Sequence, residues 1–300
     1  MCGHPVVRAA PRIATVVDTF EPVTSTRLCI VSDTHLSPAA PEADANWDAV
    51  VGYVEDAACD VVIHVGDLSF DGAHDVEDLR HARRQLDRLP VPWHAVPGNH
   101  DVGDNPWAGS PDNSTVDGDR TRRWLDVVGA DHWSLQLDGW RVLAINAQLF
   151  GSGLPDEARQ WSWLHAQLDD HGAAGATALI THKPLTASAA ELAAAPPYRF
   201  VPDAARHRLV SLVRDRNVTL VVSGHVHQYR RLDVDGVAHV WAPTTWAVLP
   251  DEIQPTLGTK RCGVVTLHIA DDHPFDPEMV EPDGLTQYML APDIPVPYPQ

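Results

Sequence analysis

Short apolar runs rich in β-branched residues recur along the chain, and Gly, Pro, Asn or Asp bounds each of them. Runs of this kind are typical of strands buried on both faces of a sheet. Between several of them, apolar residues recur at helical spacing. Strands are predicted at residues 27–32, 60–65, 91–96, 140–146, 176–181 and 218–223. Helices are predicted at residues 45–58, 73–89, 155–170 and 203–216. The pattern therefore predicts an α/β protein.

Two Asp-Gly pairs, Asp138-Gly139 and Asp235-Gly236, lie between strand-like sequences and predict tight hairpins. The sheets should therefore be mixed and not purely parallel. Residues 104–119 and 185–202 are predicted to be long loops, which in a compact domain are usually functional or mobile.

The ends of the chain differ in composition from its middle. The last thirty residues contain seven prolines and little periodicity, which indicates an extended or partly disordered tail and not a second domain. The predicted division is an N-terminal extension at 1–26, a single catalytic domain at 27–270 and a Pro-rich tail at 271–300.

Net charge and composition argue against several classes of function. The 300-residue chain carries a formal net charge of −19, which argues against broad nucleic-acid binding and against docking on anionic membranes. Seventeen histidines in so acidic a chain suggest metal binding, although high-GC coding could also enrich histidine. Four cysteines without a CxxC pair predict neither a disulfide framework nor a thiolate site. With no apolar stretch of about 18 residues, the protein is expected to be soluble and cytoplasmic.

Five short motifs follow the predicted strands, where α/β sheets place ligands. They are Asp33-Thr34-His35, Gly66-Asp67, Gly98-Asn99-His100-Asp101, His182 and Gly224-His225-Val226-His227. Residues i and i+2 of an extended segment point to one side, so Asp33 and His35 are expected to face one metal. The same spacing predicts that His225 and His227 face one way. Each motif is weak alone, but their joint occurrence in this order is a strong signal.

In this order the motifs resemble those of the calcineurin-like metallophosphoesterases, which run DxH, GD, GNH[D/E], a later His and GHxH. The resemblance covers residues 28 to about 245 and is closest in type to bacterial class III cyclic-nucleotide and glycerophosphodiester phosphodiesterases. It implies a four-layer α/β/β/α sandwich with mixed sheets, the metallo-dependent phosphatase fold, and two divalent metal ions between the sheets. Imidazole and carboxylate ligands without thiolate suit Fe, Mn, Zn or Co.

The resemblance also implies a role for each motif residue. Asp33, His35 and His227 would hold one metal ion, Asn99, His182 and His225 the other, and Asp67 would bridge both. His100 would contact the substrate and assist the leaving group. Asp101 would either hydrogen-bond and orient His100 or cap the following turn, and the sequence leaves both alternatives open.

The expected function is metal-dependent hydrolysis of cyclic nucleotides or small phosphodiesters by a hydroxide held between the metals. The two site carboxylates leave the site net cationic once both metals are bound, so a small anionic phosphoester can enter despite the overall charge. A phosphomonoesterase or nucleotide hydrolase of the same family is the first alternative, and an inactive binding scaffold the second. No nucleic-acid or membrane partner is expected, and the oligomeric state stays open, with a homodimer possible.

Overall fold

A computed structural model describes residues 25–111, 113–137, 139–170, 175–269 and 276–290. The strands are β1 Thr26–Val31, β2 Val61–His64, β3 Trp93–Ala95, β4 Trp133–Leu137, β5 Trp140–Ile145, β6 Ala176–Thr181, β7 Val218–Ser223, β8 Arg230–Val234, β9 Val237–Trp241, β10 Ala247–Val248, β11 Val264–Ile269, β12 Glu278–Val280 and β13 Tyr288–Met289. The helices are α1 Pro41–Asp56, α2 Val76–Leu86, α3 Asn99–Val102, α4 Gly118–Val127, α5 Pro155–Asp169, α6 Ala189–Ala194 and α7 Asp203–Asp215, with a 3-10 helix at Ala147–Leu149.

Two mixed sheets form the centre of this part of the chain. The first has the strand order β12-β11-β1-β2-β3, in which β1, β2 and β3 are parallel and β11 and β12 are antiparallel to their neighbours. The second has the order β4-β5-β6-β7-β9-β8, with parallel central strands and an antiparallel strand at each edge. A short parallel pair, β10 and β13, lies apart from both.

Three apolar layers show how these sheets pack. Ile30 and Ile63 of the first sheet pack with Val142, Ile180 and Val222 of the second, which makes a core between the sheets. A second layer packs the outer face of the first sheet against α1, α2 and α4, and a third packs the outer face of the second sheet against α5 and α7. Strands covered on both faces read as continuous apolar runs, which is why the sequence revealed them. The α/β fold with mixed sheets and the α/β/β/α layering are confirmed.

Helix ends differ modestly from prediction. Helix α1 begins at Pro41, four residues before its first predicted position, because a proline at the first helical position has a suitable φ and lacks only an N–H that would be unpaired there. Helix α2 begins only at Val76, because the Asp75 carboxylate accepts a hydrogen bond from the Glu77 N–H and caps the helix there.

The second predicted hairpin is confirmed. Asp235 and Gly236 have φ values of 52° and 82°, as a type I′ turn requires, and they join the antiparallel strands β8 and β9. Strands β4 and β5 are also antiparallel, but Asp138 of their predicted turn lies outside the described residues.

Most of the predicted N-terminal extension, residues 1–24, and much of the predicted tail, residues 271–275 and 291–300, also lie outside the described residues, as does residue 270. Within the tail, residues 276–290 contribute β12, which pairs with β11, and β13, which pairs with β10. The predicted boundaries at 26 and 270 stay predictions. No described helix combines the length and apolar character that a membrane crossing needs.

Candidate metal centre

Five loops that carry the sequence motifs meet where β1, β2, β3, β6 and β7 end. There the structure brings potential ligand atoms into three overlapping groups, and within each group the atoms lie within 4.8 Å of one another. The groups are Asp33, His35 and His227; His35, Asp67 and His100; and Asp67, His182 and His225. Every member is buried. His35 and Asp67 each belong to two groups, so the three form one continuous cluster.

The first half of this cluster comprises Asp33, His35 and His227. His227 Nε2 lies 3.4 Å from Asp33 Oδ1 and 3.2 Å from His35 Nε2. His35 Nε2 lies 3.9 Å from Asp67 Oδ2. Two imidazole nitrogens and two carboxylate oxygens therefore face one small space.

The second half comprises Asn99, His182 and His225. His182 Nε2 lies 3.3 Å from Asn99 Oδ1 and 3.3 Å from Asp67 Oδ2. The same Asp67 oxygen thus faces His35 on one side and His182 on the other. This is the position that a bridging carboxylate would need.

The backbone reaches this arrangement in a way that differs from the prediction. Asp33 and His35 have φ values of 51° and 46°, and His225 and His227 have values of 69° and 52°. These motifs are therefore not extended, and strand alternation was the wrong reason for their convergence. Left-handed residues bend the chain at every second position, and the two histidines of the last motif enter different halves of the cluster. Asp67 also has a positive φ, of 55°.

Left-handed backbone costs of order 1–3 kcal/mol at a residue other than glycine, and such residues gather at functional sites. Nine non-glycine residues in the described ranges have a positive φ, and five of them are predicted metal ligands. The fold therefore tolerates strain at the positions where the resemblance places the metals.

Two glycines let the loops approach one another. Gly66 has a φ of 107°, and a Cβ there would overlap the His182 ring. A Cβ on Gly98 would overlap the Asp67 carboxylate. The positive φ of Gly66 turns the chain sharply before Asp67, and both glycines are needed for close contact between loops.

The outer ring nitrogens support the fit to metal ions. His182 Nδ1 lies 2.9 Å from the Val65 carbonyl oxygen, and His227 Nδ1 lies 2.7 Å from that of Ala247. Because a carbonyl oxygen only accepts, these nitrogens carry the hydrogen, and in its neutral form each ring directs a lone pair from Nε2 into the cluster. In His225 it is Nε2, and not Nδ1, that contacts a carbonyl oxygen, that of Tyr198 at 3.1 Å.

A buried carboxylate oxygen without a donor among the described residues also supports the fit to metal ions. Asp33 Oδ1 is buried and has no hydrogen-bond donor among the described residues, whereas Asp33 Oδ2 accepts hydrogen bonds from the Ser32 hydroxyl and the His225 N–H. A buried oxygen of this kind costs free energy unless a cation or donor meets it. The donor set therefore fits divalent cations.

The pKa values of the buried carboxylates and histidines in the cluster depend on one another. Burial raises the pKa of Asp67, but His182 and His100 outweigh burial and hold it well below its usual range. Burial opposes a charge on His182 too, but the Asp67 carboxylate raises the pKa of this ring to about 9. Burial lowers the pKa of His35 and of His225 well below the ordinary value. The Asp67 carboxylate thus favours a positive charge on the side of the cluster that it faces.

Comparison with known proteins agrees with this geometry. The model of the calcineurin-like phosphoesterase family matches residues 26–229. The chain belongs to this family. Membership implies a hydrolase of phosphoesters with a dinuclear divalent metal centre, and the Asp and His cluster fits such a centre. No curated protein matches the sequence significantly.

Solved structures show the same fold at low sequence identity. The purple acid phosphatase PPD1 from yellow lupin is 18% identical with a TM-score of 0.61, and the match covers 89% of this chain but only 53% of that protein. A dimetal phosphatase from Danio rerio is 14% identical with a TM-score of 0.60, over 85% of this chain and 95% of that one. GAP50, the anchor in the inner membrane complex of Plasmodium, is 13% identical with a TM-score of 0.55, over 93% and 100%.

His100 of this calcineurin-like phosphoesterase is packed directly against the cluster. Its backbone N–H donates to Asp67 Oδ1 at 2.9 Å, and its ring meets the His35 ring edge-on with centroids 4.5 Å apart. His100 Nδ1 lies 2.6 Å from the Phe70 carbonyl oxygen. The ring also belongs to the group of potential ligand atoms formed by His35, Asp67 and His100.

Asp101 has a different environment. Its carboxylate accepts hydrogen bonds from the backbone N–H groups of Leu68, Ser69 and Gly98 and from the Ser69 hydroxyl, at 2.7 to 3.1 Å. These contacts fit the alternative in which Asp101 caps the turn and joins two metal-site loops. They do not support a catalytic role through His100, which stays an untested prediction.

Two buried groups beside the motifs extend the candidate metal site. His64 Nδ1 accepts from the Gly66 N–H at 3.2 Å, and His64 Nε2 contacts the Thr34 hydroxyl, which donates to the Leu68 carbonyl oxygen at 2.9 Å. Lys183 is fully buried and pairs with Asp104. The sequence places His64 and Lys183 next to motifs, but only the fold reveals their partners.

Proposed function

We propose that this chain is a dinuclear metal-dependent phosphodiesterase that hydrolyses cyclic nucleotides or other small phosphodiesters. The observation that carries the proposal is the position of Asp67, whose Oδ2 atom faces His35 and His182 from the boundary of the two ligand groups. Asp33, His35 and His227 would hold one divalent ion, Asn99, His182 and His225 the other, and Asp67 both. When bound, such ions activate water and offset the negative charge that develops on the phosphoryl oxygens.

His100 supplies the proton chemistry in this proposal. The Phe70 carbonyl orients the ring through Nδ1, and the contact with His35 fixes its edge against the cluster. In the imidazolium form, Nε2–H would donate to the departing alkoxide oxygen, which would leave as the neutral alcohol. A positioned acid of this kind contributes on the order of 10²–10⁴-fold to the rate.

Preference for a diester is supported by room on both sides of the cluster. A groove of about 450 Å³ lies beside His35 and includes Phe70 and Trp246 in its wall. A second groove, of about 430 Å³, is lined in part by Trp107 and Phe200. The Trp107 ring packs 5.6 Å from the Tyr198 ring, and the Tyr198 carbonyl meets His225. A phosphodiester carries two organic groups, and a monoester carries one.

The proposal extends to the setting of the enzyme. We place it in the cytoplasm, with a catalytic domain at residues 27–270 and small anionic phosphoesters as substrates. The net charge of −19 supports the exclusion of nucleic-acid substrates. Fe, Mn, Zn and Co are the metals that suit the donor set.

The test is a substrate panel on full-length protein reconstituted separately with each of these metals. The panel contains cAMP, a glycerophosphodiester, bis(p-nitrophenyl) phosphate and p-nitrophenyl phosphate, with metal content measured in parallel. We expect about two metal ions per chain and faster hydrolysis of diesters. Preference for the monoester would identify a phosphomonoesterase instead. Full metal loading without hydrolysis of any ester would identify a binding scaffold.

A further inference from the structure

The groove beside His35 is mainly apolar and has aromatic walls. Phe70, Trp246, Tyr288, Met289 and Leu290 line it together with Glu42 and three alanines. Its volume of about 450 Å³ falls within the range of small-molecule sites. The Phe70 and Trp246 rings stand perpendicular with centroids 5.5 Å apart, so they form a corner and not a flat wall.

This groove shares side chains with the first half of the metal centre. The Trp246 ring lies 4.8 Å from the His35 ring, and the Phe70 ring lies 6.4 Å from the rings of His35 and His100. Ala247, which also lines the groove, gives its carbonyl to His227 Nδ1. A phosphoryl group held at the cluster would therefore have one substituent at the mouth of this groove.

The charged residues in the groove lining indicate which kind of substituent the groove can bind. Among the described residues, the lining includes no Lys or Arg, so a second phosphate or a carboxylate would find no counter-charge there. The single acid, Glu42, already accepts a hydrogen bond from Trp246 Nε1–H at 3.2 Å. Aromatic and aliphatic surfaces without an available cation favour an uncharged apolar group.

The outer wall of the groove comes from beyond the part of the chain that the family model matches. Tyr288 and Met289 form β13, which pairs in parallel with Ala247 and Val248 of β10. The Leu290 N–H donates to the Val248 carbonyl oxygen at 3.0 Å. Met289 is 63% exposed, so a large apolar side chain faces solvent at the groove.

We propose that this groove is a subsite for an uncharged alkyl or aryl group of the substrate, and that the segment 288–290 determines this specificity. The inference rests on the proposed function for the presence of a phosphoryl group at the metals. It goes further in naming the class of organic substituent and the segment that recognises it. Met289 is a specificity-determining residue in this assignment, and Trp246 the aromatic surface on which the group packs.

Equilibrium binding of phosphonates to the Mn²⁺-loaded full-length protein tests the subsite without requiring turnover. Methyl-, propyl-, butyl- and phenylphosphonate present the same anionic head with different apolar groups. We expect affinity to rise roughly threefold per methylene from methyl to butyl, which is about the effect of burying most of each group. Phenylphosphonate should bind at least as tightly as butylphosphonate.

Met289→Glu isolates the role of the C-terminal segment. Because Met289 is largely exposed, the change should leave folding intact, keep methylphosphonate affinity within about twofold and remove most of the gain with chain length. Leu125→Glu is the matched control, since Leu125 is an exposed apolar residue of α4, 41% exposed and outside the groove lining. It should behave like the unaltered protein.

The outcomes separate this proposal from the proposed function. Diester hydrolysis with affinity independent of chain length overturns the subsite and leaves the function standing. A chain-length effect that Met289→Glu removes, in a protein that hydrolyses no ester, supports the subsite and overturns the function. Tighter binding of 2-aminoethylphosphonate than of propylphosphonate overturns the apolar assignment and indicates recognition of a cation by Glu42 and the aromatic rings. Failure to bind any phosphonate overturns the subsite, and the substrate panel then decides the proposed function separately.

Discussion

The two halves of the metal centre contain similar ligand types but are packed against different kinds of side chain. Beside His35, in the first half, lie the aromatic rings of Phe70 and Trp246 and the apolar groove. Behind the second half lies the buried pair of Lys183 and Asp104, next in sequence to His182.

The polar support of the second half reaches into the neighbouring loop. Asn105 Nδ2 lies within hydrogen-bond distance of the carbonyl oxygens of Ala147, Gln148 and Phe150, at 2.8 to 3.0 Å. A satisfied network of this kind holds a loop in one position, whereas an apolar wall leaves space for a ligand. The difference indicates that a polar network fixes the loop beside the second half, whereas aromatic side chains pack beside the first half.

The largest expected effect comes from Asp67, which belongs to both halves. Asp67→Ala should prevent loading of both metal ions and reduce turnover on the order of 10⁴-fold or more. His35→Ala and His225→Ala should each retain about one ion per chain, because each belongs to one half. Elemental analysis and the rate on bis(p-nitrophenyl) phosphate measure these outcomes. The control is Asp119→Ala, whose side chain is 88% exposed. Two ions per chain in Asp67→Ala would contradict the bridging position.

His100 should affect chemistry without affecting metal content. His100→Ala is expected to keep both ions and to slow hydrolysis on the order of 10²–10³-fold for substrates with an alkoxide leaving group. The loss should be much smaller for p-nitrophenyl esters, whose leaving group needs little protonation. The ratio of the two losses, measured at saturating metal, checks the role. Equal losses for both leaving groups would point to substrate positioning and not to acid catalysis.

The Lys183–Asp104 pair should stabilise the second half only while both partners are present. Asp104→Ala leaves a fully buried ammonium group without its carboxylate, which should cost about 3–5 kcal/mol in the free energy of unfolding. Lys183→Met combined with Asp104→Leu should recover much of that loss, since neither residue is then charged. Urea unfolding with a chelator present measures both. Similar stability for Asp104→Ala and the double variant would mean that the unpaired charge is not the cause.

The fold and the convergence of the seven motif residues could be predicted because both are encoded locally. Buried parallel strands are continuous apolar runs, and each run is followed directly by its ligand motif. The bend within each motif could not be predicted from strand geometry. Asp33, His35, His225 and His227 have left-handed backbone, a state that depends on contacts from other loops.

The remaining features that the sequence did not predict depend on pairing between strands that are far apart in the chain. Strand β11 lies antiparallel beside β1, more than 230 residues away in the chain. The sequence of β11 alone does not indicate which strand β11 pairs with. The groove wall at residues 288–290 depends in the same way on pairing of β13 with β10. Lys183 and His64 lie next to motifs in the sequence, but their roles depend on the buried partners that the fold supplies.

The smallest expected effect concerns His64, whose hydrogen bonds join the loops of Asp33 and Asp67. Burial lowers the pKa of His64 to about 3, so the folded protein holds this ring neutral while the unfolded chain binds a proton below about pH 6.5. His64 therefore destabilises the fold as pH falls below 6.5, by up to about 1.4 kcal/mol per pH unit. His64→Gln should lose about 1–2 kcal/mol at pH 7.5 through its lost hydrogen bonds, and the deficit should shrink towards pH 5 because the variant lacks that proton uptake.

Urea unfolding at several pH values, compared with metal affinity, checks this prediction. His239→Gln is the matched control, because burial also lowers the pKa of His239, to about 4, but this ring lies in β9 and not in a metal-site loop. Both variants should show the same direction of pH dependence, and only His64→Gln should weaken metal binding, by roughly tenfold, as expected for a group that positions ligands. Unchanged metal affinity in His64→Gln would make His64 a packing residue that takes no part in positioning the metal ligands.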